Sequence, residues 1–332
     1  MSKKTVYIFS SGELRRRGNT LYFEGEGKRK YLPVEGVAKI QVFGEISLNK
    51  KILEFLSRKE IILSIFSHHG YYMGSFYPRE HYNSGFMILR QAEHYLDGQK
   101  RLLLARAFVL GAMQNIEKVI AYYRNRGVEF PRERIEAMEA LFSAVDSAAS
   151  VEELMALEGN FREAYYKCFD QIITRENFKM GERSRRPPQN RLNALISFGN
   201  SLLYTEVLSE IYKTHLDPRI GFLHATNFRR FSLNLDVAEV FKPIIVDRLI
   251  FTLVNKEIIK ERDFDRRSGG VFMKESAMKK FAEKFEEKMA TTIKHRGLGR
   301  NVSYRRLIRL ELYKLEKHLM QEEQYKPFVA RW

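Results

Sequence analysis

The sequence predicts an α+β protein in which a strand-rich N-terminal domain, residues 1–82, is followed by a larger all-α catalytic domain, residues 83–332. Three observations support this prediction. Up to about residue 80, short segments rich in β-branched and aromatic residues alternate with glycine-containing turns, which is typical of strands. From about residue 84 onward, apolar residues recur at helical spacing. The length of 332 residues is enough for about two domains.

The first domain is predicted to contain six strands and one helix. The predicted strands are Thr5–Phe9, Thr20–Phe23, Lys30–Val34, Ala38–Phe43, Ile61–Phe66 and Tyr71–Phe76. Residues 47–59 break the strand pattern, because Leu48, Ile52, Phe55 and Leu56 follow helical spacing. Pro78 ends this part of the chain.

The second domain is predicted to be helical throughout. An apolar stripe runs from Leu102 to Ile120, and Ser150 with Glu153 forms a capping box that begins the helix carrying Glu158. Further helices are predicted at Arg191–Tyr212, Val237–Ile259, Glu275–Met289 and Ser303–Glu322. Two basic segments, 179–188 and 263–270, are predicted to be loops.

The charge of the chain indicates a polyanionic partner. There are 57 Lys and Arg residues against 41 Asp and Glu residues, a net charge of +16, and the pI is about 9.7. A membrane is the weaker alternative, since no run approaches ~20 apolar residues and no secretory signal opens the chain. Cys168 is the single cysteine, which excludes an intramolecular disulfide and favours the reducing cytoplasm as the location. Its helical spacing with Tyr165 and Ile172 predicts a small core residue.

Glu158 lies where the helical pattern places an apolar residue. Leu154, Phe161 and Tyr165 share its face by steps of three and four residues. A carboxylate on such a face is costly unless it is compensated, and a divalent cation is one way to compensate it. The structural alternative is an ion pair with Arg162, one turn further along the helix.

A second group of polar residues lies between residues 220 and 243. His224 follows Gly221 at a loop or helix entrance, where a hydrogen-bonded structural role is the alternative to a ligand role. Asp236 and Glu239 are three residues apart, so both carboxylates lie on one helical face among apolar neighbours. A solvated face near a helix N-terminus is the alternative for this pair.

Together these residues suit metal-assisted chemistry on a phosphodiester. Such chemistry requires a cation that neutralises phosphate charge and orients the attacking oxygen. Two carboxylates and an imidazole form a mixed oxygen and nitrogen ligand set, which accepts Mn²⁺ readily and Mg²⁺ as well. The sequence has no zinc-hydrolase motif, no P-loop, no dinucleotide-binding fingerprint and no Gly-x-Ser-x-Gly elbow. The interpretation is a metal-dependent enzyme that acts on nucleic acid.

Basic side chains are predicted to bind the phosphates. The candidates are Arg162, Arg183, Arg185, Arg186, Arg229, Arg230, Lys242, Arg300 and Arg305. A solvated, charged helix face is the alternative. The neighbouring pair His68 and His69 is a second candidate for metal binding, but a role at a strand end is favoured.

Four motifs resemble a known family, the CRISPR-associated endonuclease/integrase that inserts new spacers during adaptation. The motifs begin at Leu157 (Leu-Glu-Gly-Asn-Phe-Arg-Glu-Ala-Tyr-Tyr), Asn193 (Asn-Ala-Leu-Ile-Ser-Phe-Gly-Asn-Ser-Leu-Leu-Tyr), Gly221 (Gly-Phe-Leu-His) and Ser232 (Ser-Leu-Asn-Leu-Asp-Val-Ala-Glu-Val-Phe-Lys-Pro). They occur in the order that the family has. Segments of the first domain, residues 32–44 and 72–78, resemble the β-domain of that family.

The resemblance implies a function and a division of roles. Glu158, His224 and Glu239 would be the ligands of Mg²⁺ or Mn²⁺, and Asp236 would be an acidic residue of the same catalytic site. The family forms homodimers through the β-domain and joins a small ferredoxin-like CRISPR-associated partner. It holds double-stranded DNA whose 3′-hydroxyls attack the repeat phosphodiesters. Two alternatives remain open at this point: a non-catalytic nucleic-acid-binding scaffold, and a metal-dependent nuclease directed at RNA.

Overall fold

The computed structural model of the chain describes residues 3–25, 27–79, 82, 84–226, 231–267 and 269–331. Its N-terminal part contains eight strands and one helix. They are β1 (Lys4–Ile8), β2 (Gly12–Arg17), β3 (Thr20–Gly25), β4 (Lys28–Pro33), β5 (Val37–Val42), β6 (Ile46–Ser47), α1 (Lys50–Arg58), β7 (Ile62–Phe66) and β8 (Tyr72–Phe76). All six predicted strands and the predicted helix are present.

The strands form two four-stranded sheets. One has the order β1-β5-β7-β8, with β8 antiparallel to β7 and the other pairs parallel. The other has the order β4-β3-β2-β6. A separate apolar core lies within this part, where Leu14, Leu21, Ile40 and Leu56 are fully buried. Strand β2 was not predicted, because Leu14 is its only apolar residue and three arginines follow it.

The rest of the described chain is mainly helical. The helices are α2 (Gly85–Leu96), α3 (Gly98–Arg124), α4 (Arg132–Ser143), α5 (Val151–Lys167), α6 (Phe169–Ile172), α7 (Arg191–Ile211), α8 (Leu233–Lys242), α9 (Arg248–Asn255), α10 (Glu275–Ala290) and α11 (Tyr304–Leu319). Helix α7 is buried along most of its length and packs against α8, α10 and α11. It is therefore the central helix of the core, and it buries charged side chains such as Glu206 and Glu210 together with its apolar ones.

The predicted helix over residues 237–259 is divided by a π-helical turn. Helix α8 ends at Lys242, the π turn covers Pro243–Asp247, and α9 follows directly. Pro243 has no backbone N–H and its ring crowds the preceding turn, so the regular hydrogen-bond pattern cannot continue through it. The turn places the side chain of Asp247 in the core, with 1% of its surface exposed.

Two short hairpins within the helical part were not predicted. They are formed by β9 (Phe264–Arg267) with β10 (Gly270–Met273), and by β11 (Thr292–His295) with β12 (Arg300–Ser303). The first occupies the segment that was predicted to be a loop. The overall prediction of a strand-rich part followed by a helical part is confirmed.

The two parts pack on each other through an aromatic cluster and a buried ionic network. Phe43 stacks on Phe66 and approaches Phe198 of α7, with ring centroids 4.5 and 5.8 Å apart. Lys39 Nζ of β5 lies 2.5 Å from Glu206 Oε2 of α7. The domain boundary at residues 82 and 83 stays a prediction. Within the described part of the chain, no helix combines the length and apolar character needed to cross a membrane.

Candidate active site

Helix α5 supplies the first predicted ligand, Glu158. The helix begins as predicted: the Ser150 hydroxyl accepts a hydrogen bond from the Glu153 backbone N–H at 3.1 Å. The Glu153 carboxylate accepts a second hydrogen bond, from the Ala149 N–H at 2.8 Å. Leu154 and Phe161 are buried on the face that Glu158 shares, so Glu158 projects from an apolar surface.

Arg162 joins Glu158 to Glu239. Its Nε atom donates to Glu158 Oε1 at 2.6 Å, and its Nη2 atom contacts Glu239 Oε2. The ion pair that the sequence left as the alternative for Glu158 is therefore present. The same contacts show that α5 and α8 bring the two carboxylates to one guanidinium. That guanidinium is buried, with its side chain 10% exposed.

Glu239 is the more enclosed of the two carboxylates that contact Arg162. It is 5% exposed, and Lys242, one turn further along α8, contacts its Oε1 atom. Burial acts to raise the pKa of Glu239, but the charges of Arg162, Lys242 and His224 outweigh it and lower that pKa to about 2. Glu239 is therefore ionised at neutral pH. Its Oε2 atom contacts Arg162 without completing a hydrogen bond of normal geometry.

Asp236 organises the loop that carries His224. Its Oδ2 atom accepts from the backbone N–H groups of Phe222 and Leu223 at 2.6 and 3.1 Å. Its Oδ1 atom accepts from the His224 backbone N–H at 2.9 Å and from His224 Nδ1 at 2.8 Å. Gly221 permits this approach, because a Cβ there would lie 2.7 Å from Asp236 Oδ2. Asp236 is completely buried, so the solvated-face alternative is wrong for this residue.

The contact with Asp236 sets the state of the imidazole. Because the carboxylate accepts at Nδ1, the proton is on that nitrogen, and Nε2 is the atom available to a ligand. Burial acts to lower the pKa of His224, but the hydrogen bond and charge of Asp236 outweigh it, so that pKa is raised. The side chain is 24% exposed and is reachable from solvent.

The donor set has the chemistry for Mg²⁺ or Mn²⁺, but the carboxylates are engaged with cationic side chains. Glu158, Glu239 and His224 supply oxygen and nitrogen ligands that suit these ions. Among the described residues, no three His, Cys, Asp or Glu side chains are arranged to hold a metal ion. In this arrangement the two carboxylates contact Arg162 and Lys242 instead.

The predicted phosphate-binding residues fall into different environments. Arg185, Arg186 and Arg300 are exposed, and Arg183 is half-buried with Nη1 donating to Asn193 Oδ1 at 2.8 Å. Arg162 and Lys242 are buried among the carboxylates, which favours a structural role for both side chains in this arrangement. Arg229 and Arg230 lie outside the described residues.

Arg305 forms ion pairs with two carboxylates of the protein. Its Nε atom lies 2.7 Å from Glu206 Oε1, and its Nη2 atom lies 2.8 Å from Glu286 Oε2. The side chain is 15% exposed. The structure therefore favours a role in the ionic network between α7, α10 and α11 over the predicted phosphate contact.

The segment with Arg183, Arg185 and Arg186 is attached to the N-terminal part. The Tyr71 hydroxyl donates to the Arg185 carbonyl at 3.3 Å, and the Arg186 guanidinium lies 5.3 Å from the centre of the Tyr71 ring. His69 stacks on Phe272 of β10 with centroids 4.2 Å apart, so its position after β7 is consistent with the favoured strand-end role. The contacts with Tyr71 hold Arg185 and Arg186, both exposed, against the surface of the N-terminal part.

Two further residues of this region were not identified as site residues from the sequence. Asp247 was not singled out, and Tyr165 was named only as a helical neighbour of Glu158 and Cys168. Burial raises the pKa of Asp247 to about 7, against the opposing influence of Arg162, Lys242 and the Tyr165 hydroxyl. Asp247 Oδ2 and the Tyr165 hydroxyl are both buried, and they lie close enough together for the hydroxyl to lower the pKa of Asp247. The sequence does contain a signal for Asp247: it is an acidic residue that directly follows the apolar run Pro-Ile-Ile-Val within a helical pattern.

Comparisons with known proteins agree with this fold. The sequence profile of the family described as CRISPR associated protein Cas1 matches residues 6–287. A curated relative from Thermodesulfovibrio yellowstonii, named CRISPR-associated endonuclease Cas1 2, is 57% identical over 330 residues. That alignment covers 99% of this chain and 100% of the relative. The resemblance that the four motifs indicated is therefore confirmed.

Solved structures give the same result. A Cas1 protein from Thermotoga maritima superposes with a TM-score of 0.88 at 49% identity, covering 99% of this chain and 100% of that chain. A chain of a Cas6-RT-Cas1–Cas2 complex shares the fold at 15% identity, with a TM-score of 0.82 over 100% of this chain and 36% of that chain. By sequence and by fold, the chain belongs to the CRISPR-associated Cas1 family.

Proposed function

We propose that this chain is a divalent-metal-dependent DNA endonuclease and strand transferase of CRISPR adaptation, acting in the cytoplasm. The observation that carries the proposal is that Glu158 and Glu239 meet at Arg162, while His224, oriented by Asp236, lies near enough to Glu239 to lower its pKa. The name of the curated relative, an endonuclease, supports cleavage of nucleic acid. The net charge of +16 supports a nucleic-acid substrate.

Each residue of the cluster has a role in the proposed reaction. Glu158, His224 and Glu239 would hold Mg²⁺ or Mn²⁺. When bound, such a cation neutralises charge on the phosphate and orients the attacking oxygen. Asp236 keeps a proton on Nδ1 of His224, which leaves Nε2 as the ligand atom. The attacking oxygen belongs to water in cleavage and to a DNA 3′-hydroxyl in strand joining.

The exposed arginines are proposed to hold the DNA backbone. Arg185 and Arg186 are exposed on a segment that Tyr71 attaches to the N-terminal part. Arg183 is half-buried in the same segment. Its pKa is lowered by burial and by the positive charge of the nearby Arg185. Such uncompensated positive charge is favourable once phosphates neutralise it.

A homodimer and a small ferredoxin-like CRISPR-associated partner are proposed as the assembly. Met73 of β8 is 68% exposed, and Phe86 and Leu89 of α2 are 58% and 71% exposed. Met73 lies on the edge strand β8 and supports an interface in the N-terminal part, while Phe86 and Leu89 add exposed apolar surface at the start of the helical part. The fold relative described as part of a Cas1–Cas2 complex supports a second, different partner.

The central experiment replaces each predicted ligand by alanine. We expect Glu158→Ala, His224→Ala and Glu239→Ala to lose Mn²⁺-dependent plasmid cleavage and strand joining, while DNA binding is retained. Glu163→Ala is the matched control, because Glu163 lies on the same helix but is exposed and pairs with Lys167. Full activity of all three variants would refute the proposal.

The same assay separates the two alternatives. If the chain is a non-catalytic scaffold, EDTA leaves its function unchanged, and the alanine variants lose stability instead. If the chain is directed at RNA, a matched RNA substrate is cleaved faster than DNA in the presence of Mn²⁺. We expect loss of activity with EDTA and faster cleavage of DNA.

A further inference from the structure

Residues 325–330, which we call the clasp, lie across α3 and reach α8. The clasp follows α11 without helix or strand, yet Tyr325 and Ala330 at its two ends are buried. The Tyr325 hydroxyl donates to Glu311 Oε1 at 2.7 Å, and the Phe328 N–H donates to the same oxygen at 2.9 Å. A buried carboxylate of α11 therefore fixes the path of the clasp.

Asn115 of α3 joins the clasp to α8. Its side chain is completely buried, and its Nδ2 atom donates to the Phe328 carbonyl and to the Val240 carbonyl, both at 2.8 Å. Its Oδ1 atom accepts from the Ala330 N–H at 2.8 Å. One amide group thus holds the clasp and α8 together, at the residue that directly follows Glu239 in the chain.

Two further contacts bring the clasp to the same place. The Phe328 ring stacks on the Phe241 ring, with centroids 5.7 Å apart and planes inclined by 10°. Pro327 packs against α3 at Gly111, where a Cβ atom would lie 2.5 Å from Pro327 Cβ. Glycine is unfavourable in a helix interior compared with alanine, so this close approach explains why a glycine occupies position 111.

The second half of α8 needs support from outside the helix. Pro243 has no backbone N–H, so the carbonyl group of Glu239 receives no hydrogen bond from the residue four positions further on. The regular helical pattern ends there in the π turn. The two residues that directly follow Glu239 are the ones that Asn115 and the clasp contact.

We propose that Asn115 and the clasp hold the second half of α8 in place and thereby position Glu239 for the reaction. Asn115 is then a positioning residue, because it acts through the backbone of α8. This inference rests on the proposed function, in which Glu239 belongs to the active site. It adds a supporting element that lies outside residues 6–287, the part of the chain that matches the family profile.

The cleavage rate of the folded protein distinguishes positioning from stability. A clasp that only stabilises the fold would leave that rate unchanged. A clasp that positions Glu239 would not, since a displacement of about 1 Å at a reacting group can lower a rate about 100-fold. Binding of DNA to the exposed arginines does not depend on α8, so the loss should appear in the rate and not in the DNA concentration that gives half of it.

The test introduces a collision between α3 and the clasp and then relieves it. Gly111→Ala favours the helical state of α3 but places a Cβ atom against Pro327, so it should displace the clasp while the helix stays intact. We expect the single-turnover rate of Mn²⁺-dependent plasmid cleavage at saturating DNA to fall about 10-fold or more. Pro327→Gly removes the colliding atoms, so the double variant should regain most of the lost rate.

Asn115→Ala tests the hydrogen bonds of the same contact. The Val240 carbonyl loses its donor from α3, so we expect the cleavage rate to fall as it does in Gly111→Ala. Thermal unfolding shows whether each variant folds. If Gly111→Ala or Asn115→Ala does not fold, Phe328→Ala takes its place, because it removes the ring that stacks on Phe241 and has the same expected direction.

Hydrogen exchange measured by mass spectrometry gives a readout that does not depend on activity. In Gly111→Ala the backbone amides of α8 and of the π turn should exchange faster than in the wild type. The amides of α1, in the N-terminal part, should exchange at the wild-type rate. A slower cleavage rate with unchanged exchange in α8 would show that the effect does not pass through this helix, and it would overturn the inference.

Gly98→Ala is the matched control. Gly98 lies on the same helix at an exposed position with open space around it, so the variant should cleave DNA at the wild-type rate. A wild-type rate in folded Gly111→Ala, or a loss that Pro327→Gly does not restore, would overturn the inference and leave the proposed function standing. Absence of cleavage by the wild type would overturn both proposals.

Discussion

Asp236 Oδ1 accepts a hydrogen bond from Nδ1 of His224 at 2.8 Å, and the same carboxylate holds three backbone N–H groups of the loop that carries the histidine. Asp236 therefore determines both where His224 lies and which ring nitrogen is protonated. Partners of this kind are nearly as important to a metal site as the ligands themselves. The resemblance described Asp236 only as an acidic residue of the site, and the structure assigns it this positioning contact.

Asp236→Asn tests that role. The amide group keeps the shape but cannot accept from all four donors, so His224 should lose its orientation. We expect Mn²⁺-dependent cleavage to fall about 10- to 100-fold. Plasmid cleavage under single-turnover conditions measures the change, and Asp146→Asn, at an exposed position, is the control. Unchanged cleavage by Asp236→Asn would contradict the assignment.

Glu206→Gln tests the ionic network between the two parts of the chain. Glu206 pairs with Lys39 and Arg305, both largely buried, so removing its charge should lower the free energy of unfolding by about 3–5 kcal/mol at pH 7. Urea unfolding followed by circular dichroism measures this. Glu54→Gln changes an exposed pair with Lys50 and should cost no more than about 0.5 kcal/mol.

The same network predicts how stability depends on pH. Burial acts to raise the pKa of Glu206, but Arg305 and Lys39 outweigh it, so its pKa in the folded protein is lowered. The stability that it contributes is present above its unfolded pKa of about 4.3 and is lost as the pH falls through the lower folded value. The difference in unfolding free energy between wild type and Glu206→Gln should therefore shrink below about pH 4. A constant difference down to about pH 2 would contradict this explanation.

Arg185→Ala combined with Arg186→Ala tests the proposed DNA surface. We expect weaker DNA binding, and a dependence of log Kobs on log salt concentration that is less steep by about 1 for each phosphate that the variant no longer binds. Fluorescence anisotropy at several salt concentrations gives the slope. Lys50→Ala removes an exposed charge from α1 and is the control. An unchanged slope would show that this segment does not bind phosphates.

Met73→Glu tests the proposed homodimer interface. A charge placed among the exposed apolar residues of β8 and α2 would be buried on association, which is costly. We expect the variant to have the monomer mass in sedimentation experiments, while the wild type has the dimer mass. Leu298→Glu, at an apolar position between β11 and β12 that is 42% exposed, should remain dimeric. A dimeric Met73→Glu variant would place the interface elsewhere.

Most secondary structure could be predicted because local patterns carry it. Short segments of β-branched and aromatic residues between glycine-containing turns predicted six of the eight N-terminal strands among the described residues, and helical spacing predicted the main helices. The failures have local reasons: β2 has one apolar residue, β6 has only two residues, and Pro243 interrupts a helical pattern without ending it. The hairpins β9–β10 and β11–β12 are short and rich in charge, so their strand character depends on pairing rather than on pattern.

The sequence alone determined the family, the fold class, the positive charge and the identity of Glu158, His224, Asp236 and Glu239 as candidates. Only the tertiary structure decided which charge each of them contacts. Arg162 joins carboxylates from α5 and α8, and Asp236 holds a loop whose residues are 12 to 14 positions away in the chain. Side-chain spacing along one element predicts which residues share a face, but the partner that crosses from another element depends on how the helices pack.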